Sequence, residues 1–399
     1  MTVLIVGASV AGVRTAQALR MAGYSDAITV VGDERHVPYD KPPLSKEMIE
    51  RDGAPDVVPL VQKAELASLD LDLRLGSAAV SLDAASRLVT LADGAQIPFD
   101  RLVIATGVRP RTLPGIGDLA GVHTIRSVDD AAALRSALGR RPRVVVIGAG
   151  FIGAEFASAA VGHGVDVSIV EAQPVPLAHV LGADVGRELA RLHGANGVRL
   201  ETGVGFERFV GDGHVTGVRL TDGRVLPADL VVVGIGAVPN TEWLTSSGLP
   251  VNDGVVCDED LQVAGWTGIY AAGDVALRQH PLYGTRLRIE HWTNANEHAS
   301  IVAASITGGE PPRPQAPYVW SDQYGRRIQI VGRPAAGSVA LTRGSVDSDT
   351  YVAVYADDGG LVVGAVALDD PRTLMRCRKA VTGRHQVEAL TAALVPTAL

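Results

Sequence analysis

The chain has 399 residues, a formal net charge of −8 and 47% hydrophobic residues, with 45 glycines and only 4% aromatics. That length holds two or three domains and a large core, and the acidic balance argues against a general nucleic-acid binder. The two cysteines, Cys257 and Cys377, make no CxxC, zinc spacing or disulfide framework, and the scattered histidines show no ligand spacing, so no metal site is expected.

No apolar run reaches membrane-spanning length, and Met1 leads directly into a strand-like run. The expectation is a cytoplasmic protein without signal peptide or anchor. Val3–Val6 is a short β-branched run of the kind buried in parallel sheets. Gly7, Ser9 and Gly12 then fill the three positions of a GxGxxG turn, with Ala8 and Ala11 between them, and an apolar helical pattern follows. Such a turn brings backbone N–H groups and a helix N-terminus to a pyrophosphate. Ile28–Gly32 reads as the next buried strand. Asp33 and Glu34 follow it, about twenty residues past the turn, where a carboxylate can accept from ribose hydroxyls. The alternative is two solvated loop acids.

Val37–Lys46 (VPYDKPPLSK) carries two adjacent prolines, with a helix expected from Leu44–Lys46. Lys46, behind a rigid turn, is a candidate for contact with an electron-rich ring. Arg74–Val80 and Leu88–Leu91 read as strands, and Asp93-Gly94 as a hairpin turn. Asp100–Arg111 is a buried strand that leaves the sheet through Thr106-Gly107.

Val144–Glu155 (VVVIGAGFIGAE) is a second and complete fingerprint: Gly148, Gly150 and Gly153, with Phe151 and Ile152 between, open a helix. Glu155 is expected in that helix's first turn, where a carboxylate is favoured by the dipole. Val165–Val170 follows, and Glu171 ends it about twenty residues after the turn. A carboxylate there favours an unphosphorylated ribose, hence NADH over NADPH. Val198–Gly223 and Asp229–Val238 repeat the hairpin and glycine exit of the first unit, so one nucleotide-binding unit is nested in another.

Ile269–Val275 (IYAAGDV) ends in Asp274, read as an exposed carboxylate at a helix start and a candidate acceptor for polyol hydroxyls; the alternative is an N-cap. Arg288–Ala295 (RIEHWTNA) opens a helix, and Gly308–Pro317 reads as a linker. Ile328–Val331, Tyr351–Tyr355 and Leu361–Leu368 are strand-like and Pro371–Leu394 is mostly helical, a small α+β domain without a fingerprint. Between Arg278 and Arg343, eight arginines face four acids, a local formal charge of +4. That excess reads either as a docking patch or as arginines paired internally.

VPYDKPPLSK, the doubled glycine turns, IYAAGDV, RIEHWTNA and WSDQYG (Trp320–Gly325) resemble the FAD-dependent NADH–ferredoxin reductases of the putidaredoxin reductase type, which serve Rieske dioxygenases and haem-thiolate monooxygenases. The resemblance covers essentially the whole chain. It implies an α/β, glutathione-reductase-like fold: two nested Rossmann-type dinucleotide-binding domains plus a small α+β C-terminal domain. The FAD domain would be 1–111 with 238–314, the NAD domain 112–237 and the C-terminal domain 315–399.

It further implies FAD contacts at Gly7, Ala8, Ser9, Ala11, Gly12, Asp33, Lys46, Val80, Thr106, Gly107, Arg126, Asp274 and Trp292. NADH contacts would be Gly148, Gly150, Phe151, Ile152, Gly153, Glu155 and Glu171, with Lys46, Glu155 and Trp320 in catalytic roles. Ser9 departs from the commoner glycine, and Lys41 stands where many relatives have arginine. The implied partner is a small, acidic iron–sulfur ferredoxin, and through it an oxygenase. A rubredoxin reductase or an NADH oxidase would use the same two nucleotide sites, and a redox-sensing flavoprotein is the reading from another class. A flavin disulfide reductase would need a reactive cysteine early in the chain, and none precedes Cys257.

Overall fold

The computed structural model describes residues 1–53 and 57–394, so residues 395–399 of the expected C-terminal domain lie outside the described residues. The chain divides into two compact units. One comprises Met1–Lys41, Val57–Arg109 and Ala237–Gln315, and the other Pro42–Asp56, Pro110–Gly236 and Ala316–Leu399.

In the first unit, five parallel strands lie in the order Ile269–Ala271, Arg101–Ile104, Val3–Val6, Ile28–Val31, Leu71–Arg74. Val3 pairs with Ile28 on one side and Arg101 on the other, so Val3–Val6 is central and all four of its residues are buried. That double burial is why it reads as an unbroken apolar run rather than an alternating one. Helices Val10–Met21 and Trp292–Thr307 pack against each other, with Val10, Val13, Ala16 and Leu19 in the same core as Ala295, Ile301 and Val302. Two small three-stranded sheets also belong to the unit: Ala79–Asp83, Leu88–Leu91, Gln96–Pro98, and Val255–Cys257, Ala276–His280, Thr285–Leu287.

The second unit repeats the plan. Its parallel sheet runs Arg199–Thr202, Val167–Glu171, Val144–Ile147, Leu230–Val233, Val122–His123, with Val144–Ile147 central and fully buried. Helices Val128–Leu138, Phe151–Val161 and Ala183–Ala195 belong to the same unit. So does an antiparallel sheet in the order Tyr318–Gln323, Arg326–Gly332, Val362–Leu368, Tyr351–Ala356, Ser338–Gly344. That sheet packs Ile328, Ile330 and Tyr355 against Val185, Leu189 and Leu192 of helix Ala183–Ala195. Its other face takes Leu374, Cys377 and Val381 of helix Pro371–Thr382.

The structure differs from the sequence expectations in several places. Arg74–Val80 is not one strand: Leu71–Arg74 and Ala79–Asp83 lie in different sheets, and Gly76 between them has φ +71°. The expected helix at Lys46 is a single 3-10 turn, Pro42–Ser45, followed by further turns. Asp274 is half-buried in a 3-10 turn, Gly273–Val275, that runs into a strand instead of a helix. Strands Tyr318–Gln323 and Ser338–Gly344 join the expected three; the second is an exposed edge strand, so it lacks the apolar run that marks buried ones. Among the described residues, no helix is long and apolar enough to cross a membrane.

Candidate active site

In the first unit, Gly7 leaves the central strand at φ +121°, and a Cβ there would lie 2.1 Å from the Ala105 carbonyl oxygen. At Gly12 a Cβ would lie 1.8 Å from the Gly7 oxygen. A side chain at Gly7 would strike the exit of the neighbouring strand, and one at Gly12 would push the helix away from the turn. Ser9 is the N-cap of helix Val10–Met21, yet its hydroxyl makes no capping bond and the first turn holds no acid. A helix start with backbone donors, a positive dipole end and no side-chain cap suits a phosphate. The second fingerprint behaves alike. Gly148 has φ +102°, a Cβ on Gly153 would lie 2.2 Å from the Gly148 oxygen, and Gly150 caps helix Phe151–Val161, where a Cβ would meet nothing nearer than the Gly234 oxygen at 3.9 Å. Phe151 and Ile152 form the start of that helix, Ile152 exposed and Phe151 half-buried. These residues fit two dinucleotides, one at each turn.

The neighbours of the first turn sort into distinct roles. A Cβ on Gly32 would lie 2.6 Å from the Ala8 Cβ, so the chain passes against the turn immediately before Asp33. Asp33 is exposed, whereas Glu34 receives hydrogen bonds from Lys41 Nζ at 2.8 Å and from the Tyr39 hydroxyl. Of the two adjacent acids, Glu34 is therefore the structural one. Thr106 Oγ1 donates to the Asn240 carbonyl at 2.8 Å, and Asn240 Nδ2 returns a bond to the Thr106 carbonyl at 2.8 Å. The Asn240 amide also donates to the Gly107 carbonyl at 3.0 Å.

Gly273 presses on the helix beside the turn, since its Cβ would lie 2.8 Å from the Ala11 Cβ. Its amide donates to His298 Nδ1 at 3.2 Å, which fixes the backbone that carries Asp274. Trp292 opens its helix and donates from Nε1 to Asp40 Oδ1 at 2.8 Å. Val80 is 49% exposed on its strand. Asp40, Asn240 and His298 escaped the sequence reading, because each acts through long-range bonds that no local spacing reveals.

In the second unit, Glu171 ends its strand as expected. Its Oε2 accepts from the Ala149 amide at 2.9 Å and its Oε1 from the Gln173 amide at 2.8 Å. The carboxylate thus clasps the glycine turn whose nucleotide it would read. The Arg126 amide donates to Asp130 Oδ2 at 2.9 Å, just ahead of the capping box of helix Val128–Leu138.

Glu155 is the fifth residue of its helix, not part of the first turn, which holds no acid. It faces inward, and both of its oxygens are occupied. Oε2 accepts from Ser45 Oγ at 2.5 Å, Oε1 accepts from Ser321 Oγ at 2.7 Å, and Lys46 Nζ lies 3.2 Å from Oε1. Lys46 also stands 3.7 Å from Asp322 Oδ2 and 5.9 Å from the centroid of the Trp320 ring. Trp320 in turn stacks on Tyr318, with centroids 6.1 Å apart.

The sequence reading had Lys46, Glu155 and Trp320 but missed Ser45, Ser321 and Asp322. The signal for the last two is WSDQYG itself. Tyr324 and Gly325 both have positive φ, a two-residue hairpin turn that sets Trp320, Ser321 and Asp322 on one strand opposite Gln329, Ile328 and Arg327.

Five of the eight arginines in the excess are paired internally. Arg326 bonds Asp369 and the carbonyls of Val346, Ser348 and Asp349. Arg327 bonds Asp322 at 2.6 Å, Arg343 bonds Asp370 at 2.5 Å, and Arg288 bonds Asp253 and Glu290. Arg278 is buried against Glu297 and the Glu259 carbonyl. Both thiols are buried, and burial pushes each up to about 12, so neither is a thiolate nucleophile at neutral pH.

Residues 1–299 match the family model described as pyridine nucleotide-disulphide oxidoreductase, and residues 318–398 match the reductase C-terminal model. The chain belongs to the pyridine nucleotide-disulphide oxidoreductase family. It is similar to rhodocoxin reductase of Rhodococcus erythropolis, at 37% identity over 95% of this chain and 89% of that protein. It is likewise similar to the ferredoxin–NAD(+) reductase subunit of the benzene 1,2-dioxygenase system of Pseudomonas putida, at 35% identity over 97% and 93%. Among solved structures, the covalent putidaredoxin reductase–putidaredoxin complex matches with a TM-score of 0.93 and 33% identity, over 99% of this chain and 96% of that one.

Proposed function

We propose that the protein is an NADH-dependent flavoprotein reductase that passes electrons through FAD to a small iron–sulfur ferredoxin serving an oxygenase. FAD and NADH are the pair that the family and its relatives imply. The observation that carries the reading is the pair of uncapped helix starts behind glycine turns, each followed by a strand that ends near a carboxylate. We keep the division into an FAD domain (1–111 with 238–314), an NAD domain (112–237) and a C-terminal domain (315–399). We place the protein in the cytoplasm, where NADH is made.

The flavin supplies the exchange between hydride transfer and single-electron transfer; the chain supplies position and charge. Gly7, Ala8, Ser9, Ala11 and Gly12 cradle the FAD pyrophosphate, and Asp33 takes the ribose. Val80, Thr106, Gly107, Arg126, Asp274 and Trp292 hold the remainder. Gly148, Gly150, Phe151, Ile152 and Gly153 receive NADH, and Glu171 selects it by repelling a ribose phosphate. Lys46 stabilises negative charge on the reduced ring, Glu155 fixes the ammonium, and Trp320 walls the same cluster. With both thiols buried, electrons leave to a separate carrier and not through a protein disulfide.

The test is flavin content and electron delivery. Reconstituted protein should show flavin absorbance, bleach with NADH, and reduce a ferredoxin of an oxygenase system faster than a rubredoxin or oxygen.

A further inference from the structure

Lys46 sits on a segment that has little regular structure of its own. After the 3-10 turn Pro42–Ser45, the Ile49 and Glu50 amides both bond back to the Lys46 carbonyl, at 2.8 and 2.9 Å. No regular helix continues past this turn to donate amides to the carbonyls of Met48, Ile49 and Arg51, while the Glu50 carbonyl accepts from the Gly53 amide at 3.2 Å. Met48 and Ile49 are buried, so their carbonyls need partners, and here one side chain from a helix and one from the turn after another helix supply them. Arg135, near the end of helix Val128–Leu138, donates to the Met48 carbonyl at 3.3 Å and the Arg51 carbonyl at 3.0 Å, and also bonds the Glu50 carbonyl. His163, just past helix Phe151–Val161, meets the Ile49 carbonyl through Nε2 at 2.7 Å, buried; against a carbonyl that nitrogen is the donor.

Glu155 and His163 are eight residues apart, so they share one face of that helical run. One end of it grips Ser45 and Lys46, and the other grips Ile49.

We infer that Arg135 and His163 are positioning residues that set the Lys46 ammonium by clamping the carbonyls of the segment carrying it. The inference rests on the charge-stabilising role of Lys46 proposed above. A guanidinium fork suits the task, because one planar group reaches three oxygens that a lysine cannot span. Neither residue acts on the reaction except through Lys46.

The test is a double-mutant cycle on the FAD-loaded protein, with Arg135→Ala made in the parent and in Lys46→Ala, and flavin reduction by NADH followed in a single turnover. In the parent, a misplacement of this kind is expected to slow reduction about tenfold to hundredfold, with NADH affinity unchanged. In the Lys46→Ala background the same change should cost nothing further. Arg135→Lys should lie between, and His163→Gln, whose amide can still donate to Ile49, should recover most of what His163→Ala loses.

Independently of activity, the Ile49 and Glu50 amides of the flavin-free protein should exchange hydrogen faster in Arg135→Ala while the central strands stay protected. An equal loss on both backgrounds, or no loss in the parent, overturns the inference and leaves the role of Lys46 standing. An unchanged rate in Lys46→Ala alone overturns both.

Discussion

Lys46 Nζ lies 3.2 Å from Glu155 Oε1, with only 10% and 5% of the two side chains exposed. Glu155 gathers Ser45, Ser321 and Lys46, so three stretches far apart in sequence meet at one carboxylate. Lys46→Ala should leave that carboxylate buried without its cation. We expect a loss of about 3–5 kcal/mol in unfolding free energy and about 2–4 kcal/mol in the barrier to flavin reduction. Glu155→Gln should be milder in stability, since one serine hydroxyl can still donate to the amide oxygen while the other turns to accept from the amide NH2. Urea denaturation and single-turnover reduction measure the two effects separately.

Cofactor preference is checked at Glu171. The parent should favour NADH strongly, because the carboxylate would repel a ribose phosphate. Glu171→Arg should move the kcat/KM ratio toward NADPH while lowering the rate with NADH, because it also removes the acceptor of the Ala149 and Gln173 amides. Equal efficiency of the parent with NADH and NADPH would contradict the assignment.

Five of the eight arginines, Arg326 and Arg327 among them, follow the internally paired reading of the charge count. Arg326→Glu with Arg327→Glu should lower the melting temperature and damage both half-reactions, because Arg326 holds Asp369 and three carbonyls and Arg327 holds Asp322. Loss of ferredoxin reduction alone, in a protein of parental stability, would restore these arginines as a docking surface.

Acid sensitivity follows from two buried histidines. Burial lowers His193 to about 4 from its ordinary 6.5, and burial with the nearby Arg278 and His280 lowers His298 to about 3. In each case the unfolded chain takes up a proton that the folded chain refuses. Stability is therefore full above about pH 6.5 and is lost as the pH falls toward those depressed values, by at most about 1.4 kcal/mol per pH unit for each histidine. Denaturation series between neutral pH and pH 4 should show that decline, and His193→Gln should flatten it. His193 holds the Tyr324 hydroxyl at 2.7 Å, so the same variant reports on the hairpin that carries Ser321 and Asp322.

What the sequence revealed follows from the range of the interactions. Val3–Val6 and Val144–Ile147 were legible because strands buried on both faces must be apolar throughout. The glycine turns were legible because Gly7 and Gly148 need both a positive φ and the absence of a Cβ. Lys46 was found, but its surroundings were mistaken for a helix, because the bonds that hold it come from Arg135, Glu155 and His163, roughly ninety to one hundred and twenty residues away. The Arg327–Asp322 pair hid inside a one-dimensional charge count, yet the Tyr324-Gly325 turn alone would have set those two residues opposite each other.

The most direct test of the account is an anaerobic double-mixing experiment on FAD-loaded protein. NADH is mixed first, then an oxidised iron–sulfur ferredoxin from an oxygenase system, with flavin and ferredoxin absorbance followed together. The account predicts that NADH bleaches the flavin and that the flavin colour returns as about two ferredoxins are reduced per flavin, since each accepts one electron. A flavin that bleaches with NADH but leaves every such ferredoxin oxidised, while oxygen or a rubredoxin restores its colour at once, would contradict it.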